Sequence, residues 1–209
     1  MFGTYEHDLD IEYHKKKAMG LMVSKEVKRR GYKNLNKFAP VDDKIDLLPG
    51  LNWNFEYFQS SVPVGLHTDY TVDEKGYELV AGVIIPLYWT CLHPYTISYD
   101  KFTEDKLMYK HNAMRNEDDS NIIDWQTKEF FDPQLFLHFP KGVKYRKQVY
   151  DLKALDIYKW NTQTAYVFNT KQWHNSSWFL KDKELPSKMG GPWKLSIIGF
   201  GSRKKLPKI

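Results

Sequence analysis

The run Leu51 to Ser61, LNWNFEYFQSS, alternates Trp53, Phe55 and Tyr57 against Asn52, Asn54 and Glu56. A repeat of two sends the aromatic set to one side of an extended chain and the polar set to the other, which a helix cannot do. The run is therefore a half-buried strand, and the rest of the chain must supply both a sheet and a cover for its apolar face. Tyr77 to Tyr88, YELVAGVIIPLY, is near-continuous in apolar residues and closes on Pro86, the pattern of a buried strand that then leaves its sheet. Pro94 to Tyr99, Ile157 to Trp160, Thr164 to Asn169 and Trp193 to Phe200 read as shorter strands, the middle two as a pair around a turn at Asn161 to Gln163. One helix is expected, capped by Asp10, running to Arg30 and stopped by Gly31, with Ala18, Met19, Met22, Val23 and Val27 as a partial apolar face.

About eight strands behind one helix, without an internal repeat, predict a mainly β fold with a double-stranded β-helix core of the jelly-roll or cupin type. The chain of 209 residues is expected to form a single domain, 1–209, with this core at 51–202. Asn34 to Gly50 is turn-rich and reads as a connection. The charged stretch 100–149 reads as a long inserted segment, a kind that often shapes a pocket.

Aromatic residues make up 16% of the chain, including seven Trp and 14 Tyr, which favours strands and a ligand pocket over a helical bundle. The net charge of +5 and pI near 9.0 would suit an anionic partner. The excess, however, gathers at Lys15 to Lys17, Lys25 to Arg30 and Arg203 to Lys208, where a solvated surface is the simpler account. Nucleic acid stays open as a partner, but no recognition motif indicates it. Cys91 is the only cysteine, so an intrachain disulfide and a cysteine zinc site are both excluded. The N-terminus lacks the apolar run of a signal peptide, and no stretch approaches the ~18 apolar residues of a membrane span, so the expectation is a cytoplasmic protein without a membrane partner. Oligomeric state leaves no trace in the sequence.

The candidate chemistry lies in Gly65 to Tyr70, GLHTDY, where His67 and Asp69 are two apart at the end of an apolar run. On a strand both side chains would leave one face, presenting an imidazole nitrogen and a carboxylate oxygen side by side. These are two of the three ligands of a 2-His-1-carboxylate iron site. A distant histidine must complete it, and His174, reached from the aromatic run beginning at Tyr166, is the candidate. In a chain with seven histidines and 26 acidic residues, about one His-x-Asp or His-x-Glu arises by chance, so the weight rests on order and context.

That order resembles the Fe(II)- and 2-oxoglutarate-dependent dioxygenases: His-x-Asp at His67 and Asp69, a distal His174, and a basic residue followed two later by serine at Lys194 and Ser196. The resemblance implies a double-stranded β-helix core, iron at His67, Asp69 and His174, and hydroxylation of a small-molecule or peptide substrate with release of succinate and CO2. It implies that Lys194 and Ser196 hold the distal carboxylate of 2-oxoglutarate. On a strand those two side chains point the same way and offer a charge beside a hydroxyl. The family more often places arginine there, which makes Arg203 the reserve candidate. Tyr57 can hydrogen-bond the co-substrate or serve as a core tyrosine. Asn169, Asn175 and Ser176 flank the distal histidine, and Trp89 and Trp173 are candidate pocket residues. His93 and His138 have no partners at ligand spacing.

Two other readings stay open. One keeps the metal but not the keto acid, as in cupin-type enzymes. The other is a non-catalytic β-sandwich that binds or scaffolds.

Overall fold

The computed structural model describes residues 2–22, 35–43, 45, 47–60, 67–92, 94–104, 154–176, 180–181 and 193–205. Among them the chain is mainly β, in antiparallel sheets with one helix. The elements in order are β1 (Gly3–Glu6), α1 (Ile11–Met22), β2 (Leu35–Pro40), β3 (Asn52–Ser60), β4 (Tyr77–Trp89), β5 (Cys91–Leu92) and β6 (Tyr95–Phe102). They continue with β7 (Ala154–Lys159), β8 (Thr164–Asn169), β9 (Gln172–Ser176), β10 (Leu180–Lys181) and β11 (Lys194–Lys204). Six strands form the larger sheet in the order β1-β8-β4-β11-β3-β2, three form β7-β6-β9, and β10 pairs with β5.

The alternation in Leu51 to Ser61 does what its pattern demands. Phe55 and Tyr57 are buried in one core, joined by Ala81, Val83, Ile85 and Leu87 of β4, Ala165 and Val167 of β8, and Leu195 and Ile197 of β11. Helix α1 covers this outer face with Ala18. Each fully buried aliphatic here contributes about 1.5–3 kcal/mol relative to an exposed one. The opposite face of the same sheet meets the smaller sheet: Tyr166 and Phe168 of β8 pack with Tyr158 of β7 and Trp160, and with Ile84 and Trp89 of β4. The result is two antiparallel sheets enclosing an aromatic inner layer, an arrangement compatible with a β-sandwich.

Asp10 caps α1 as expected, accepting the Tyr13 amide at 2.9 Å. The part of the expected helix beyond Met22 lies outside the described residues, as do the cap-stop Gly31, His93, His138 and the inserted segment from 105 onwards. Strand β4 does not leave its sheet at Pro86 but continues to Trp89. Its pairing with β8 ends at Ile84, so the missing proline N–H meets no partner strand on that side. Opposite Leu195 and Ser196 the register skips Leu87, and this bulge changes the parity of the strand. Tyr88 then joins the outer core and Trp89 turns inward.

The largest departure concerns the expected strand pair around Asn161 to Gln163. β7 and β8 are joined by that turn, which Asn161 closes by accepting the Gln163 amide at 2.9 Å. They nevertheless belong to different sheets, β7 beside β6 and β8 beside β1 and β4. After β8 the chain turns at Thr170 and Lys171 and crosses back into the smaller sheet as β9. β1, β2, β5 and β10 had no clear sequence signal: the first two lie in polar surroundings and the last two are two residues long. Among the described residues no helix is long and apolar enough to cross a membrane, which says nothing of a β-barrel.

Candidate metal centre

The double crossing of β7, β8 and β9 builds the site. At its second turn the Thr170 carbonyl accepts the backbone amides of both Asp69 and Tyr70 at 3.0 Å. The Thr170 hydroxyl donates to the Leu79 carbonyl of β4 at 2.6 Å, and this side chain is fully buried. His67 and His174 exchange both backbone hydrogen bonds at 3.0 Å, forming an isolated antiparallel bridge. The segment from His67 to Tyr70 is thus laced to the turn and to β9 by four main-chain bonds. Beyond the His67 bridge it is not a strand, and the two amides shared by one carbonyl show the chain turning there. That lacing holds His67 and Asp69 side by side, with Thr68 between them and Tyr70 beyond them buried.

The convergence is close. One ligand atom from each of His67, Asp69 and His174 lies within 4.8 Å of the others. The Asp69 carboxylate faces both imidazoles: Oδ1 is 3.6 Å from His67 Nε2, and Oδ2 is 3.2 Å from His174 Nε2. The two rings are 4.2 Å apart, centroid to centroid. His174 is buried, and its Nδ1 lies 2.8 Å from the Gln172 carbonyl. A carbonyl can only accept, so the N–H of this bond sits on Nδ1, and Nε2 is the nitrogen that faces Asp69. Gln172 is held in turn by donation from its side-chain nitrogen to the Tyr99 carbonyl at 2.9 Å. The Phe168 ring packs against the His174 ring, with centroids 4.3 Å apart. A ligating histidine oriented through its second nitrogen is the usual support of a metal site. Two imidazoles and one carboxylate suit Fe(II) and other first-row divalent ions, so the donor set fits the metal that the resemblance implies.

Lys194 and Ser196 are both buried at the start of β11. Leu195 and Ile197 between and beyond them belong to the outer core, so Lys194 and Ser196 project from the inner face, the side of His174 and the aromatic layer. The Lys194 ammonium lies 4.6 Å from the centre of the Trp160 ring and 3.4 Å from the Tyr95 carbonyl. Burying it there is costly unless a counter-charge or such contacts offset the lost hydration.

Tyr57 is not at the site. It lies on the outer face of β3, fully buried, with its hydroxyl 2.8 Å from His14 Nδ1 of α1. The core role is the correct one, and burial pushes this phenol up to about 12. Arg203 also does not reach a buried carboxylate site: it is 56% exposed and pairs with Glu78 at 3.2 Å, towards the far end of β11 from Lys194. Asn175 is buried and accepts the Tyr99 hydroxyl at 2.9 Å, whereas Asn169 closes the β8–β9 turn by accepting the Lys171 amide at 2.9 Å. Trp89 packs against Trp160 at 6.1 Å, and Trp173 is buried. Thr170, Gln172 and Phe168 were not singled out by sequence. Their parts depend on a turn between sheets, a main-chain carbonyl and a ring contact, none of which has a motif.

No family model matches this chain, and no curated protein or solved structure matches it either.

Proposed function

We propose that the protein is a non-haem Fe(II)- and 2-oxoglutarate-dependent oxygenase that hydroxylates a small-molecule or peptide substrate. The observation that carries the reading is the convergence of His67, Asp69 and His174, with their ligand atoms inside 4.8 Å. The finer architecture belongs to the same proposal: the two sheets are the halves of a double-stranded β-helix, and the His67–His174 bridge ties the ligand segment to β9 of the smaller one.

Bound iron supplies one-electron chemistry with dioxygen, coupled to conversion of the keto acid into succinate and CO2. The chain's own residues do the rest. His67, Asp69 and His174 would hold the iron and, as only three protein ligands, would leave it open to the keto acid and oxygen. Gln172 fixes the His174 tautomer, Thr170 fixes the carboxylate ligand, and Lys194 with Ser196 offers a cation and a hydroxyl to the far carboxylate. The aromatic inner layer keeps water from the reacting atoms.

A second reading, a cupin-type metal enzyme without a keto acid, draws on the way Lys194 is already engaged by Trp160 and Tyr95. One experiment separates them. Fe(II) and then 2-oxoglutarate are added anaerobically to the protein, to His174→Ala and to Lys194→Ala, and the visible charge-transfer band of the chelated keto acid is followed. The proposal expects a band in the parent, none in His174→Ala, and a higher keto-acid requirement in Lys194→Ala. One equivalent of iron without a band favours the second reading. No bound iron sinks both and leaves a non-catalytic binding protein.

A further inference from the structure

Behind His174 the inner layer is a continuous file of rings. Phe168 lies 4.3 Å from His174, Tyr166 lies 5.9 Å from Phe168 with planes 26° apart, and Tyr158 stacks on Tyr166 at 4.9 Å and 11°. Tyr166 is 2% exposed and Tyr158 5%. The file ends at the β7–β8 turn, where the Tyr158 hydroxyl donates to the Thr164 carbonyl at 2.8 Å. Each tyrosine therefore has its ring in the stack and its hydroxyl in a defined hydrogen bond, and the file runs from a metal ligand to a surface turn.

Apolar packing alone explains why rings gather here but not how the hydroxyls are served. Tyr166 sits 2.6 Å from Ser98 Oγ, and Ser98 lies directly across from Asp156 on β7. Asp156 is an exposed carboxylate that also acts on the Tyr166 phenol. Burial pushes that phenol well above the ordinary tyrosine range, so it stays protonated. It can lose an electron without stranding a buried positive charge only if its proton leaves too, and the Ser98 and Asp156 side supplies the acceptor. Trp160, which packs against Trp89, is a poor site for a positive hole. The Lys194 ammonium lies 4.6 Å from the Trp160 ring centre and opposes any positive charge there.

We propose that Tyr166 and Tyr158 form an escape route that carries an oxidising equivalent from the metal centre to the β7–β8 turn, sparing the histidine ligands when no substrate is bound. The proposal rests on the metal-centre reading above. One electron passes from Tyr166 through Phe168 and His174 to the oxidised metal, which is reduced by one electron. The phenolic proton goes to Asp156, leaving a neutral tyrosyl radical. Tyr158 then refills Tyr166: its electron crosses the stack, Asp156 returns the proton to Tyr166, and the Tyr158 proton leaves to water. A one-electron donor of the ascorbate class, with a proton from water, restores Tyr158.

The test uses the full chain. Iron is titrated in anaerobically and its stoichiometry measured. Limiting hydrogen peroxide then oxidises the metal, and the sample is frozen for electron paramagnetic resonance. The parent is expected to give a tyrosyl signal, and His174→Ala with the same total iron is expected to give none. Tyr166→Phe abolishes the signal and, over repeated peroxide additions, loses iron-binding capacity faster than the parent. Tyr158→Phe retains a longer-lived radical at Tyr166. Ser98→Ala keeps the Tyr166 ring and removes its hydrogen bond, so the signal persists with an altered g-tensor, which covers the case of a Tyr166 variant that fails to fold. One equivalent of iron with no tyrosyl signal, or an undiminished signal in Tyr166→Phe, overturns the route while leaving the metal centre standing. Failure to bind iron overturns both.

Discussion

His67 and His174 are 107 positions apart in sequence, yet they exchange both of their main-chain hydrogen bonds and bring their rings to 4.2 Å. The pairing joins a segment that follows β3 to the strand that follows the β8–β9 turn, so the ligand set exists only when the two sheets are assembled. A metal bound there stabilises the folded state alone. Adding Fe(II) or a redox-silent divalent ion at a hundredfold excess over Kd should contribute about 2.7 kcal/mol of stability. For a chain of this size that is a melting shift of roughly 5–10 °C. His174→Ala should show no metal-dependent shift in the same scan, and an equal shift would place the ion elsewhere.

Thr170 is the peg for the carboxylate ligand, since its carbonyl takes the Asp69 and Tyr70 amides and its hydroxyl is bonded to Leu79. Thr170→Val keeps the shape and removes the 2.6 Å bond, leaving a buried carbonyl without that donor. The expected cost is about 1–3 kcal/mol in chemical denaturation. Metal affinity should fall as well, and Thr170→Ser should restore most of both. Unchanged metal affinity in the valine variant would show that the turn does not position Asp69.

At Gly82 a Cβ would come 2.4 Å from Phe168 Cζ. The missing side chain is what lets the Phe168 ring lie over β4 and brace His174. Gly82→Ala must displace that ring, at about 1–3 kcal/mol of overpacking. The displacement presses towards a ligand, so metal binding should weaken, and shortening the ring in Gly82→Ala/Phe168→Leu should recover stability. Calorimetric metal titration beside a denaturation curve distinguishes the two effects.

His14 predicts a pH dependence that has nothing to do with the metal. It is buried on the inward face of α1 against the Tyr57 hydroxyl, and burial holds its pKa below the ordinary 6.5, an effect the Asp43 carboxylate partly offsets. His7 is shifted the same way, again chiefly by burial. A folded-state pKa below the unfolded value means the unfolded chain binds more protons in the window between them. The stabilising contribution is therefore complete above about pH 6.5 and is lost as pH falls through the folded pKa. The melting temperature should drop on acidification below 6.5, and His14→Gln should flatten part of that slope.

Tyr57→Phe tests the assignment of that residue to the core. It removes the bond to His14, with an expected loss of about 0.5–1.5 kcal/mol, and should leave metal and keto-acid affinity unchanged. A raised keto-acid requirement would return Tyr57 to the site.

Much of this could be read along the chain. The alternation in Leu51 to Ser61, the two-sided apolar run through Ile85 and the Asp10 cap are local signals, because side-chain direction follows from backbone period. The candidate ligands His67, Asp69 and His174 were legible as residue types in a strand-rich order. What could not be read was sheet membership. β7 and β8 look like a hairpin because the turn chemistry at Asn161 is local, but which neighbour each strand pairs with depends on where its apolar faces find cover. Tyr57 illustrates the same limit: period two assigns it to a face, but only α1 arriving with His14 and Ala18 shows that this face is the outer one.

The sequence by itself determined that the protein is mainly β, where its longest strands lie, and which side chains could ligate a metal, since all of these depend on residues within a few positions of one another. The tertiary structure alone decided that His67, Asp69 and His174 meet, that Lys194 looks inward with them, and that Tyr57 and Arg203 do not. Those outcomes turn on pairings between distant segments, whose free energy comes from burying both faces of a sheet at once and is written in no single stretch of the chain.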